Sequence, residues 1–201
     1  MILTPIPRYR LGAVLDRFAA QLDDPAACAA FIRIRATSDE RADGAAAETH
    51  RQEALALARR CGMAVHPAGT RCAFNWDGAA LLGDTEAYVI LHEIAHFVLA
   101  PPERRRLVDF GLGAGPDTTD RAAADRAVAL PILEREADEA AASLLGILWE
   151  AALGHPALAS FLDQNWLEGL ERSAAPHFTG VFRRLRRLGL GEALPPAGIS
   201  L

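Results

Sequence analysis

Asp84-Thr85-Glu86-Ala87-Tyr88-Val89-Ile90-Leu91-His92-Glu93-Ile94-Ala95-His96-Phe97-Val98-Leu99-Ala100-Pro101-Pro102 contains the most apolar run of the chain, with two histidines and a glutamate set inside it. Asp84, Thr85 and Glu86 are helix-starting residues, and the proline pair ends what they start, so a helix running to about Leu99 is predicted. In a helix, side chains four apart leave the same face. His92 and His96 therefore stand one turn apart and can share one metal ion, as the pattern His-Glu-x-x-His does elsewhere. Glu93 is rotated away from them. It can reach a metal-bound water without being a ligand, which makes it the candidate catalytic residue. The apolar flanks bury the helix and lower the dielectric around the ion.

Two histidines do not complete such a site. The nearest supply of carboxylates is Leu133-Glu134-Arg135-Glu136-Ala137-Asp138-Glu139, an acidic helical segment roughly 40 residues downstream. Glu134 is the favoured third ligand, with Glu136 and Glu139 as alternatives and His50, His66, His155 or His177 behind them. Glu134 and Asp138 are spaced i, i+4, so Asp138 suits a supporting role, accepting the ring N–H of a ligating histidine and orienting it. No His-x-x-Gly-x-x-His continuation follows His96, which argues against a three-histidine site.

Outward from this stretch the pattern is mostly helical. Helices are predicted over Leu11–Leu22, Pro25–Ile34 with Asp24 as cap, Thr49–Cys61 ending at Gly62, and Thr119–Leu153 with Pro131 kinking or restarting it. A short helix follows His155-Pro156, and an amphipathic one spans about Pro176–Leu188. Met63–His66 and Arg71–Trp76 read as short strands, with Asp77-Gly78 as a turn. The Gly-rich loop 111–118 is not Gly-x-Gly-x-x-Gly and carries no nucleotide-binding signal. The tail Pro195–Gly198 reads as loose. The expected fold is α+β and predominantly helical, with the histidine helix packed on the acidic helix beside a small sheet, as in zincins. One domain over 1–201 is expected, with residues 1–80 the least defined part.

All basic residues are arginine; there is no lysine, which removes lysine Schiff-base and phosphate-loop chemistry. The net charge of −5 speaks against direct nucleic-acid binding. Cys28, Cys61 and Cys72 form no Cys-x-x-Cys pair and read as reduced thiols of a cytoplasmic protein. No signal peptide and no membrane span are read. With aromatics at 6%, the core is expected to be aliphatic. Arginines cluster at 104–106 and 183–187, either as solvated faces or as an electropositive rim to the metal cleft.

Two resemblances follow. His-Glu-x-x-His with Glu134-Arg135-Glu136-Ala137-Asp138 resembles the gluzincin metallopeptidases, which implies zinc on His92, His96 and Glu134, Glu93 as general base, and Asp138 orienting a histidine. The second is more specific. His92–His96, Ala100, Arg105-Arg106, Leu107-Val108-Asp109-Phe110-Gly111 and Pro116-Asp117 resemble the bacterial elongation factor P hydroxylase family, as do Gly154-His155-Pro156 and Asn165-Trp166-Leu167-Glu168-Gly169. This similarity covers roughly residues 87–185. It implies a two-histidine-one-carboxylate site with Fe(II) favoured over Zn, which hydroxylates a modified lysine on a partner protein such as elongation factor P. Arg105, Arg106 and Asp109 become candidate substrate contacts. The family's Tyr-Trp-Tyr after Phe-Gly is Leu112-Gly113-Ala114 here.

Overall fold

Asp24 accepts hydrogen bonds from the amides of Ala26 and Ala27, and Pro25 occupies the first turn, so the second helix starts where its cap dictates. Asp120 caps the helix that begins at Arg121 in the same way, whereas Glu86 makes no side-chain cap at the start of the histidine helix. The computed structural model describes residues 6–167, 174–191 and 194. Along the described chain run α1 (Arg8–Ala20), α2 (Pro25–Arg35), α3 (Gly44–Arg60), β1 (Ala64–Val65), β2 (Ala80–Leu81) and α4 (Ala87–Leu99). Two 3₁₀ turns follow at Arg104–Arg106 and Val108–Gly111, then α5 (Arg121–Arg126), α6 (Ile132–Leu153), α7 (Ala157–Asp163) and α8 (Ala174–Arg187). Glu168, Gly169 and the 195–198 tail lie outside the described residues. Pro131 restarts the helix rather than kinking it, standing just before α6 with an extended backbone (ψ 155°). Gly154 ends α6 in the left-handed conformation.

The sheet differs from expectation. β1 pairs in parallel with β2, Ala64 opposite Ala80 and Val65 opposite Leu81. The segment 71–76 contributes only an isolated antiparallel bridge from Trp76 to Leu81. Its carbonyls are taken by other partners: Ala73 accepts from Thr119, Asn75 from Leu82 and Trp76 from Asp109. The Asn75 bond belongs to the bridge itself, but with the acceptors of Ala73 and Trp76 claimed by distant loops the pairing does not extend into a ladder. The turn at Asp77 is as read, with Oδ1 accepting from Ala79 and Ala80 at 2.8 Å each.

The buried core is built mainly from Leu, Ala and Ile, as expected, and the few aromatic residues are concentrated in it: the largest fully buried side chains include Trp149, Phe31, Phe110, Phe161, Phe178 and Phe182. Phe18, Phe31, Phe161 and Phe178 meet edge-on or tilted with ring centroids 4.7–6.3 Å apart, tying α1 and α2 to α7 and α8. One buried cluster runs from Leu15 to Leu185, so the N-terminal helices share the core with the histidine helix. Within it α4 packs along α6. Gly146 of α6 lies against the backbone of His92, where a Cβ would come within 3.4 Å. That close approach sets α6 beside the histidines.

Candidate metal centre

α4 buries Glu93 and His96 and leaves His92 partly open. The two imidazole Nε2 atoms face each other 2.9 Å apart. Glu139 Oε2, from α6, stands 3.4 Å from both. The three ligand atoms lie within 4.8 Å of one another, a two-histidine-one-carboxylate set drawn from two packed helices. The donor chemistry fits a divalent ion that accepts nitrogen and oxygen, Zn²⁺ and Fe(II) alike.

The carboxylate that the fold brings to the two histidines is Glu139 rather than Glu134. Glu134 is in the exposed first turn of α6, more than a turn before the level at which α6 crosses α4. Glu136 lines the outer cleft but is not in the ligand set. Asp138 also has a different task from the one expected. Its Oδ2 accepts from Arg104 and its Oδ1 from Arg184, the latter at 2.7 Å. It joins α6 to the 3₁₀ turn after α4 and to α8 instead of orienting a histidine. One residue of each arginine cluster is consumed in this way. Arg183 pairs with Asp24, Arg105 lies over the Phe97 ring and donates to the Ala100 carbonyl, and Arg106 is exposed. None of these lines the cleft, so no electropositive rim is formed by the two clusters. Arg105 and Arg106 are thus not brought to the metal centre, whereas Asp109 is.

The ligands open into a cleft of about 1360 Å³. Its opposite wall is the loop 112–118, dismissed above as a nucleotide site but lining the cleft through its small side chains. Before it, Asp109, Phe110 and Gly111 all adopt left-handed backbone, φ 45°, 53° and 71°. Such a run in two non-glycine residues costs of order 1–3 kcal/mol each and is held by its surroundings. The Asp109 amide donates to the Trp76 carbonyl at 2.9 Å, and its Oδ2 accepts from Thr118 Oγ1 at 2.7 Å. Phe110 is sandwiched between Trp76 and His96, at 5.5 Å from each. At Gly111 a Cβ would meet Leu107 at 2.8 Å and Ala129 at 2.9 Å, so glycine is required twice over. The strained turn thus turns a carboxylate toward the cleft and packs a ring on a ligand.

Asn75 and Arg135 were not anticipated. Asn75 hydrogen-bonds Glu93 from the segment read as a strand, and Arg135 lines the cleft and donates to the Leu112 carbonyl at 3.1 Å. Nothing in the local sequence marks Asn75. Arg135 sat inside the acidic segment, where its register relative to Glu139 was the only clue.

The charges are strongly coupled. Burial pushes the Glu93 carboxyl up to about 7, with the nearby Asp109 and Glu139 adding to it against His92 and Asn75. Burial resists protonation of His92, but the hydrogen bond it donates to Glu139 and the charges of Glu93 and Glu139 outweigh it and raise its pKa. Burial and the neighbouring His92 lower His96. Glu139 would be raised by burial, yet its hydrogen bonds to both histidines hold it well below the ordinary carboxylate range. Its half-exposed surface faces the cleft. Burial also raises Asp109, against its Thr118 hydrogen bond. A dense set of negative groups around two imidazoles is the electrostatic signature of a cation site.

No protein-family model, curated protein or solved structure matches the chain. Among the described residues, no helix is long and apolar enough to cross a membrane.

Proposed function

We propose that the protein is a metal-dependent hydroxylase of the elongation factor P hydroxylase type, with Fe(II) on His92, His96 and Glu139 and a cytoplasmic protein substrate bearing a modified lysine. The observation that carries this reading is the position of Leu107–Gly111. The block that distinguishes the hydroxylase resemblance from a generic metallopeptidase is the block whose strained turn forms the cleft wall and packs Phe110 on His96. A bound ion would supply O₂ activation at its open positions, as two-histidine-one-carboxylate sites do. The chain's own groups do the rest. Glu93 holds or releases a proton near neutral pH, Asn75 fixes its orientation, and Asp109 offers a carboxylate to a cationic side chain entering the cleft. The cleft exceeds the ~300–1,000 Å³ usual for small-molecule pockets, which suits a long side chain together with the backbone that carries it. In this reading the packing of α4 on α6 is zincin-like in arrangement.

The test is incubation of the Fe(II)-loaded protein with modified elongation factor P under air with excess ascorbate, which supplies the two electrons that reduce the second oxygen atom of O₂ to water, followed by mass spectrometry. One added oxygen atom is expected. No added oxygen, combined with retained zinc and cleavage of a peptide library, would overturn the reading in favour of a zinc peptidase. That alternative keeps one observation, a buried Glu93 near neutral pKa suited to general-base work. It loses two: Glu134 and Asp138, the residues its pattern requires at the histidines, are elsewhere.

A further inference from the structure

A second group of metal-type ligands lies outside the cleft. His66 follows β1, and Cys72 and Asp77 precede β2, so all three sit on the connection between the paired strands. Their ligand atoms lie within 4.8 Å of one another. His66 Nε2 and Asp77 Oδ2 are 2.8 Å apart. Oδ1 of Asp77 is already engaged by the amides of Ala79 and Ala80, which pins the carboxylate and leaves Oδ2 turned toward His66. The thiol is unpaired with any other cysteine. All three side chains are partly exposed, so an ion can enter from solvent.

We propose that His66, Cys72 and Asp77 form a second, zinc-type site that clips the connection between β1 and β2. A nitrogen, a sulfur and an oxygen donor together suit Zn²⁺ better than a hard cation, and three protein ligands leave a fourth position for water. The thiolate makes this centre chemically distinct from the His92–His96–Glu139 site, which has no sulfur. On binding, the Cys72 S–H proton passes to solvent, and the ion takes the place of the hydrogen bond between His66 and Asp77. The clip closes a segment with a task in the cleft. Asn75, which hydrogen-bonds Glu93, and Trp76, whose indole donates to the Arg105 carbonyl at 2.8 Å, lie between Cys72 and Asp77. Metal at the clip therefore fixes one wall of the catalytic cleft without touching its ligands.

Co²⁺ titration of the metal-free full chain, read by absorption, tests this. Only a thiolate ligand produces sulfur-to-cobalt charge transfer in the near ultraviolet, and the histidine site cannot. A band that is complete within two equivalents, one for each centre, and is displaced by Zn²⁺ is expected. Cys72→Ser should abolish it, Cys28→Ser should leave it intact, and a His92→Ala/His96→Ala variant should retain it. Asp77→Asn keeps the Oδ1 acceptor of the turn, so the fold is preserved while cobalt affinity falls at least tenfold. Absence of the band in the wild-type protein at saturating Co²⁺, or its persistence in Cys72→Ser, would overturn the proposal. Neither result bears on the hydroxylase reading, which rests on the other centre.

Discussion

At the scale of single residues, the site is a contest between Glu134 and Glu139 that spacing could not resolve. Both lie on α6, and each is one turn from a different partner. The choice follows from the level at which α6 crosses α4, set by the close approach of Gly146 to His92. Glu139→Ala is expected to weaken metal binding by more than the ~10–100-fold typical when only a ligand's hydrogen-bond partner is lost. Glu134→Ala should bind metal like the wild type. Metal content after dialysis against a weak chelator separates the two. Glu93→Gln makes a different cut. It should keep the ion, since Glu93 is not in the ligand set, and lower turnover by ~10²–10⁴-fold, the span of a lost acid–base group. Equal loss of metal and turnover in that variant would place Glu93 among the ligands instead.

At the scale of elements, α6 is held on its two sides by different means. Toward α4 it packs through Gly146, where a Cβ would already sit in contact with the His92 backbone and a larger side chain has no room. Gly146→Val should push the helices apart at the cost of ~1–3 kcal/mol for overpacking and loosen the metal site with them. Toward the 3₁₀ turn at Arg104–Arg106 and toward α8 it relies on Asp138. Asp138 and Arg104 are each only 8% exposed, so removing the carboxylate strands a buried guanidinium. Asp138→Ala is expected to cost about 3 kcal/mol, the lower end of the range for breaking a buried pair, because Arg184 is more exposed and screened by solvent. Urea unfolding would measure it. A cost below about 1 kcal/mol would show that the pairs behave as surface ion pairs. The acidic segment around Asp138 was legible as a helix. Which of its carboxylates would face the two histidines and which would pair with arginine was not, because that depends on neighbours distant in the chain.

At the scale of the whole molecule, the shared core extends from the N-terminal helices to the cleft, and one buried acid reports on it. Glu150 of α6 is 2% exposed, and burial pushes its carboxyl up to about 7 despite a hydrogen bond with Ser160 and the charge of Arg41. The unfolded chain releases this proton near the ordinary value of 4.5, while the folded chain keeps it until about 7. Between those values the unfolded state binds fewer protons, so stability falls as pH rises through that window and does not recover above it. The loss approaches ~3 kcal/mol. Glu150→Gln removes it. The variant should match the wild type near pH 4.5 and exceed it at pH 8, as read from denaturation midpoints. Equal stability at pH 8 would mean that Glu150 ionises without cost.

Helix positions, some caps and the shared face of His92 and His96 were readable locally, because each depends on backbone rules that act within one or two turns. Asp24 caps, Pro131 restarts a helix, Gly154 ends one, and histidines four apart share a face whatever surrounds them. The failed strand at 71–76, the aromatic cluster within the core and the fates of Glu134, Glu139 and Asp138 depended on partners distant in the chain, as Phe18 is from Phe178. A backbone carbonyl of Trp76 cannot know from its neighbours that the Asp109 amide will claim it. Nor does the first arginine of the 104–106 run announce that it will meet α6. Local sequence carries propensity and periodicity; the angle and depth at which two helices pack decide which side chains share a site, and that geometry emerges only when the whole core is closed.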